Sequence, residues 1–186
     1  MRKFLIKWWL QHWIFLCLCL GLLVFVMACS PSDRLMSSPG SLNSRYTDEQ
    51  PALSGNGRYV AFISNRDSSR NLFLYDLQEQ VFLPIPRLQN RPDAIAQSPS
   101  LSYTGRYIVC IVSDRGKLDL VLYDRVTQHP QVLNQWYQGW VRNPNISPDG
   151  RYIVFESSVH GQWDIEVLDR GSSVELDIPD GVPISQ

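Results

Sequence analysis

Three gapless copies of one segment recur at spacings of 48 and then 45 residues, with four β-rich runs in each. Together they predict an all-β protein of three four-stranded β-propeller blades. The copies read PALSGNGRYVAFIS, PSLSYTGRYIVCIV and PNISPDGRYIVFES, and start at Pro51, Pro99 and Pro144. Gly57–Arg58, Gly105–Arg106 and Gly150–Arg151 fall at one place in each, followed by Tyr59, Tyr107 and Tyr152. Thirteen residues beyond each arginine stands Asn71, Asp119 or Asp164, and eighteen beyond stands Asp76, Asp124 or Asp169. So many constant offsets mark one structural unit written three times.

Within a copy, Ala52–Ser54 and its equivalents form a first strand. The SPDG-type tetrapeptide supplies a tight turn in which glycine takes positive φ. RYVAFIS is a second strand and LFLYDL a third, joined by the polar loop NRDSSRN. VFLPIP, PQVLNQW and SVELDIP are the fourth strands of the three copies, and Pro84 and Pro86 suit an edge position because proline cannot donate to a ladder. Val60–Ile63 and Ile153–Phe155 are apolar on both faces, as a sheet sandwiched between neighbouring blades requires.

Residues 1–29 are of another kind. Arg2, Lys3 and Lys7 precede a run from Trp8 to Ala28 that only Gln11 and His12 interrupt. This is the pattern of an export signal, with the basic end left in the cytoplasm. Val26, Met27, Ala28 and Cys29 resemble a bacterial lipobox, which implies lipidation of Cys29; an uncleaved transmembrane anchor is the other reading. The predicted organisation is a signal or membrane anchor (1–28), a Ser/Pro-rich linker (29–45), propeller repeats (46–181) and a tail (182–186), with blades at about 46–90, 91–138 and 139–181.

Composition narrows the function. The 186 residues carry a formal charge of −1, but three of the 17 basic residues and none of the 18 acids lie in residues 1–29. The exported part is therefore acidic, 14 basic residues against 18, which argues against nucleic acid as a partner. Cys17, Cys19 and Cys29 all fall in the leader, leaving Cys110, which replaces Phe62 and Phe155 of the other copies. Neither a disulfide framework nor a cysteine-rich zinc site is expected, and Cys110 reads as a small core residue.

The pattern P-x-[LI]-S-x-x-G-R-Y-[VI] followed by D-I-E-V-L-D resembles the TolB-type propeller repeat over residues 46–181. The resemblance implies the fold and a place on the periplasmic side of the bacterial envelope, in the outer or inner membrane. It implies no chemistry. TolB itself adds an N-terminal α/β domain and has six blades, whereas three blades are counted in this sequence.

The repeated pairs Arg58/Asp76, Arg106/Asp124 and Arg151/Asp169 fall opposite each other across strands two and three and read as scaffold. Candidate partner-binding residues lie where the copies differ: Trp136, Tyr137, Trp140, Arg142, Arg115 and His160. Those aromatic rings are open to three readings: blade-edge core, a protein-binding surface, or a platform for sugars. His129 and His160 match no metal set, and neither a metal nor a cofactor is expected. G-x-S-x-G, HExxH, Walker and GxGxxG motifs are absent, so an enzyme is not expected. A protein partner in the envelope is expected, with a glycan- or small-ligand-binding module, or an accessory subunit of an envelope enzyme, as alternatives. Three blades span half of a six-bladed ring and leave both outer blades with uncovered apolar faces. Two chains meeting head to tail, blade three on blade one, would close the ring as a homodimer.

Overall fold

The chain divides into two compact units, Met1–Met36 and Ser37–Gln186. The computed structural model describes residues 41–88, 94–136 and 138–178, all in the second unit. Cys29, Tyr137 and the predicted anchor lie outside the described residues.

Among the described residues, eleven strands form three antiparallel meanders. Blade one is β1 (Asp48–Leu53), β2 (Tyr59–Ser64), β3 (Asn71–Asp76) and β4 (Val81–Leu83). Blade two is β5 (Ile95–Leu101), β6 (Tyr107–Asp114), β7 (Lys117–Asp124) and β8 (His129–Val132). Blade three is β9 (Val141–Ile146), β10 (Tyr152–Ser157) and β11 (Asp164–Asp169).

Two details depart from the sequence reading. The first strands start earlier than expected, ahead of the repeated proline, because a bulge admits that proline into the strand. Gln50, Ser98 and Asn143, each preceding the repeated proline, take φ of 53°, 48° and 51°, and the pairing register shifts there in all three blades. The expected fourth strand of blade three, SVELDIP, is not a strand over residues 172–178. Its polar groups find partners on blade two instead. Tyr107 Oη donates to the Glu175 carbonyl at 2.6 Å, Arg106 pairs with Glu175 at 2.7 Å, and the Thr104 amide and hydroxyl both donate to Asp177.

Two cores join the blades. Ala61, Ile63, Leu72 and Leu74 of blade one pack on Ile108, Cys110, Val112 and Tyr123 of blade two. On its other side, blade two sets Tyr107, Val109, Leu120 and Leu122 against Val141, Ile146, Ile153 and Phe155. Cys110 is fully buried, in keeping with a packing role.

The two ends are unlike, which corrects the expectation of two uncovered faces. The leading face of blade one, away from blade two, holds the buried Phe62, Phe73 and Tyr75, with Phe82 and Leu42 against them. The Arg66 guanidinium lies 4.7–5.9 Å from the centres of the Phe82, Phe62 and Phe73 rings. It also donates to the Ser41 and Leu42 carbonyls and pairs with Asp48 at 2.8 Å, so residues ahead of position 46 belong to the folded domain. The trailing face of blade three is open, and burial alternates residue by residue along β10 and β11.

Candidate functional site

Each blade has a turn end, where β-strand one meets two, and a loop end, where strand two meets three. The turn end is built from the repeated residues. Ser54, Ser102 and Ser147 accept the amide of the tyrosine five residues on at 2.9 Å, each through its hydroxyl. The glycine amides close the turns onto the same serines' carbonyls, and Gly57, Gly105 and Gly150 take φ of 70–80°. Arg58 meets Asp76 at 2.8 Å, Arg106 meets Asp124 at 3.3 Å, and Arg151 meets Asp169 at 3.0 Å. Each aspartate also accepts backbone amides of the turn that follows: Gln78 and Glu79, Val126, and Gly171. The pair therefore staples the two turns of a blade together, which accounts for its repetition without invoking a ligand.

The same end carries an interblade latch. Arg125, just after Asp124, donates to the Gly105 carbonyl and stacks 4.3 Å above the Tyr59 ring of blade one. Arg170, just after Asp169, repeats this on the Gly150 carbonyl and the Tyr107 ring, again at 4.3 Å. Gly105 and Gly150 leave no room for a side chain against those two rings. The turns are also linked in series: the Asn56 amide donates to the Tyr103 carbonyl, the Tyr103 amide to that of Pro148, and the Asp177 amide to that of Asp149.

Charge at this end sets a pH dependence. The hydrogen bond from Arg58 holds the Asp76 carboxyl below its ordinary range against some desolvation. Arg151 does the same for Asp169, and Arg106 for Glu175. At Asp124 burial pushes upward, but Arg106 and the turn amides outweigh it and the net shift is down. Carboxylates depressed on folding stabilise fully above the unfolded range near pH 4, and that stability is lost as pH falls through the lower folded values. Arg106→Met should cost about 2 kcal/mol at pH 7, and the deficit should shrink steadily below about pH 4. Urea denaturation across a pH series checks this; a deficit that stays constant in acid would contradict it.

The loop end holds the candidate partner-binding residues. Trp136 is 91% exposed and Trp140 61%, so neither ring is core. Trp140 is nevertheless fixed through its backbone. Its amide donates to Ser158 Oγ at 2.9 Å and its carbonyl accepts the Ser158 amide at 3.0 Å. A Cβ on Gly139 would lie 2.6 Å from the Val159 nitrogen, so glycine permits this close approach. Beside Trp140, Arg115, Lys117, Leu118 and Gln138 line an open pocket of about 470 Å³. Arg115 is exposed and reaches Asp114 at 3.3 Å, while Lys117 pairs with Asp119 at 2.9 Å.

Arg142 points elsewhere, to the rim of the trailing face of blade three. It donates to Glu156 at 2.6 Å, and its guanidinium lies 3.8 Å from the centre of the Trp163 ring. His160 is exposed on the β10–β11 loop. Trp163 was not among the candidates from sequence. The signal was its position, twelve residues after Arg151, where the other copies carry Arg70 and Leu118. Among the described residues no cluster of histidine, cysteine and acidic side chains could hold a metal. No helix among them is long and apolar enough to cross a membrane.

The arrangement matches known propellers in fold. TolB from Acinetobacter baumannii superposes with a TM-score of 0.59 at 21% identity, over 72% of this chain and 32% of that one. A putative TolB from Agrobacterium tumefaciens gives 0.51 at 18% identity, over 70% and 48%. The β-propeller domain of the Trilobed protease from Pyrococcus furiosus, described as having an open velcro topology, gives 0.51 at 16%, over 70% and 41%. The chain thus spans about a third to a half of the length of these structures. No family model and no curated protein matches it. The fold is that of a TolB-like β-propeller.

Proposed function

We propose that the protein is a non-enzymatic interaction module tethered to the envelope membrane of a bacterium through residues 1–29, either by lipidated Cys29 or by an uncleaved anchor. It presents its propeller on the periplasmic side and binds a protein partner through the loop end. The observation that carries this reading is the pair of exposed tryptophans, Trp136 and Trp140, with the cations Arg115 and Lys117 beside Trp140. Exposed indoles next to cations are the side chains that dominate protein-binding hot spots. Peptidases also share the fold, among them a puromycin-hydrolyzing peptidase of Mycobacterium tuberculosis at a TM-score of 0.51 and 14% identity. That likeness shows the fold alone.

Trp136→Ala combined with Trp140→Ala should weaken partner binding at least about 30-fold, equivalent to some 2 kcal/mol. Because both rings are exposed, the melting temperature should stay within about 2 °C. Affinity capture from envelope membranes, with and without the substitutions, measures the first quantity, and calorimetry the second. Retention on a glycan array that the same substitutions abolish, with no captured protein, would favour the sugar-platform reading instead.

A further inference from the structure

The trailing face of blade three repeats a contact surface that the molecule uses twice elsewhere. Tyr59, Ala61, Leu72 and Leu74 of blade one pack against blade two. Tyr107, Val109, Leu120 and Leu122, at the same repeat positions, pack against blade three. In blade three those positions are Tyr152, Val154, Ile165 and Val167, and they are 41%, 38%, 71% and 63% exposed. Tyr59 and Tyr107 each lie beneath the glycine turn and arginine of the next blade, whereas the ring contact described for Tyr152 is with its own neighbour Arg151, at 5.0 Å. Toward the loop end the surface turns polar. The position of Ile63 and Ile111 becomes Glu156, which Arg142 and Asn143 both hold.

We propose that this face docks a β-sheet of another polypeptide that is built like the leading sides of blades two and three. Such a sheet brings a glycine turn to lie over Tyr152, an arginine to stack on its ring, apolar side chains for Val154, Ile165 and Val167, and a polar group opposite Glu156. A second copy of this chain does not meet that description. Blade one has Leu77 where blades two and three have Arg125 and Arg170. Its leading face, the phenylalanine cluster, is already covered by Arg66 and Leu42. The inference goes beyond the loop-end reading above, since it concerns a different face and a different class of contact.

Photo-crosslinking on the full chain in its own membranes tests it, with benzoylphenylalanine at Val154 or Val167 and, as control, at Val126, which is exposed on a turn of blade two. The expected result is an adduct from 154 and 167 but not 126, mapping to a segment of another chain that carries a glycine turn with arginine in a β-repeat. Tyr152→Ala should reduce that adduct at least tenfold without shifting the melting temperature, and Trp136→Ala with Trp140→Ala should leave it unchanged. Adducts joining 154 to residues 57–77 of a second copy would overturn the proposal in favour of a homodimeric ring. Adducts to lipid or to segments without the β-repeat, or none above the control, would overturn it outright.

Discussion

Replacing Gly150 by alanine is expected to destabilise the domain by at least about 3 kcal/mol, whereas the same change at Gly57 should cost only about 1 kcal/mol. Both glycines hold positive φ at the same position of their blades' turns, so both substitutions carry similar backbone strain. They differ in what the new methyl group meets. At Gly57 nothing lies within 4 Å, while at Gly150 the methyl would stand 2.4 Å from Cδ2 of Tyr107. That ring is 2% exposed and tethered by its hydroxyl to the Glu175 carbonyl, so it has nowhere to go. Thermal or urea unfolding of the two variants checks the difference. Equal losses would mean that the turn glycines serve the turn alone and that the interblade latch is slack.

Phe155→Ala should be as damaging, at about 3–5 kcal/mol, because the ring is 3% exposed between blades two and three and its removal leaves a cavity. Val167→Thr, on the opposite face of the same blade, should change stability by no more than about 0.5 kcal/mol. Denaturant titration of the two variants compares the faces directly. A large loss at Val167 would mean that the trailing face is buried in the isolated domain.

The scaffold was legible in the sequence because repetition exposes it. Constant offsets located the glycine turns, the second and third strands and the Arg/Asp pairs, since each of these obeys a local rule that all three copies must satisfy. What escaped was what a single copy does differently. Thr104 stands where Asn56 and Asp149 bond the arginine amide two residues on, and in the structure it binds Asp177 instead. That one exchange, with Glu175 on Arg106, draws a β-rich segment away from its own blade, a tertiary outcome that strand propensity does not contain. The tryptophans at 136 and 140 were visible as residues, but their exposure was not. Periodicity cannot tell a ring on a blade edge from one in solvent when the segment has no regular structure.

The difference between the two ends governs how copies of this domain can meet one another. A junction in which the tail of one molecule fits the head of the next either closes into a ring or runs on as a filament, according to the rotation it imposes. The latch between blades is of that polar kind. A chain with an open acceptor face at one end and an open donor face at the other could therefore go on adding copies of itself. Arg66 and Leu42, folded over the phenylalanines of blade one, and Leu77 in place of arginine, remove the donor end. With one sticky end left, head-to-tail self-association has no second step, and the exposed face of blade three is not consumed in a polymer.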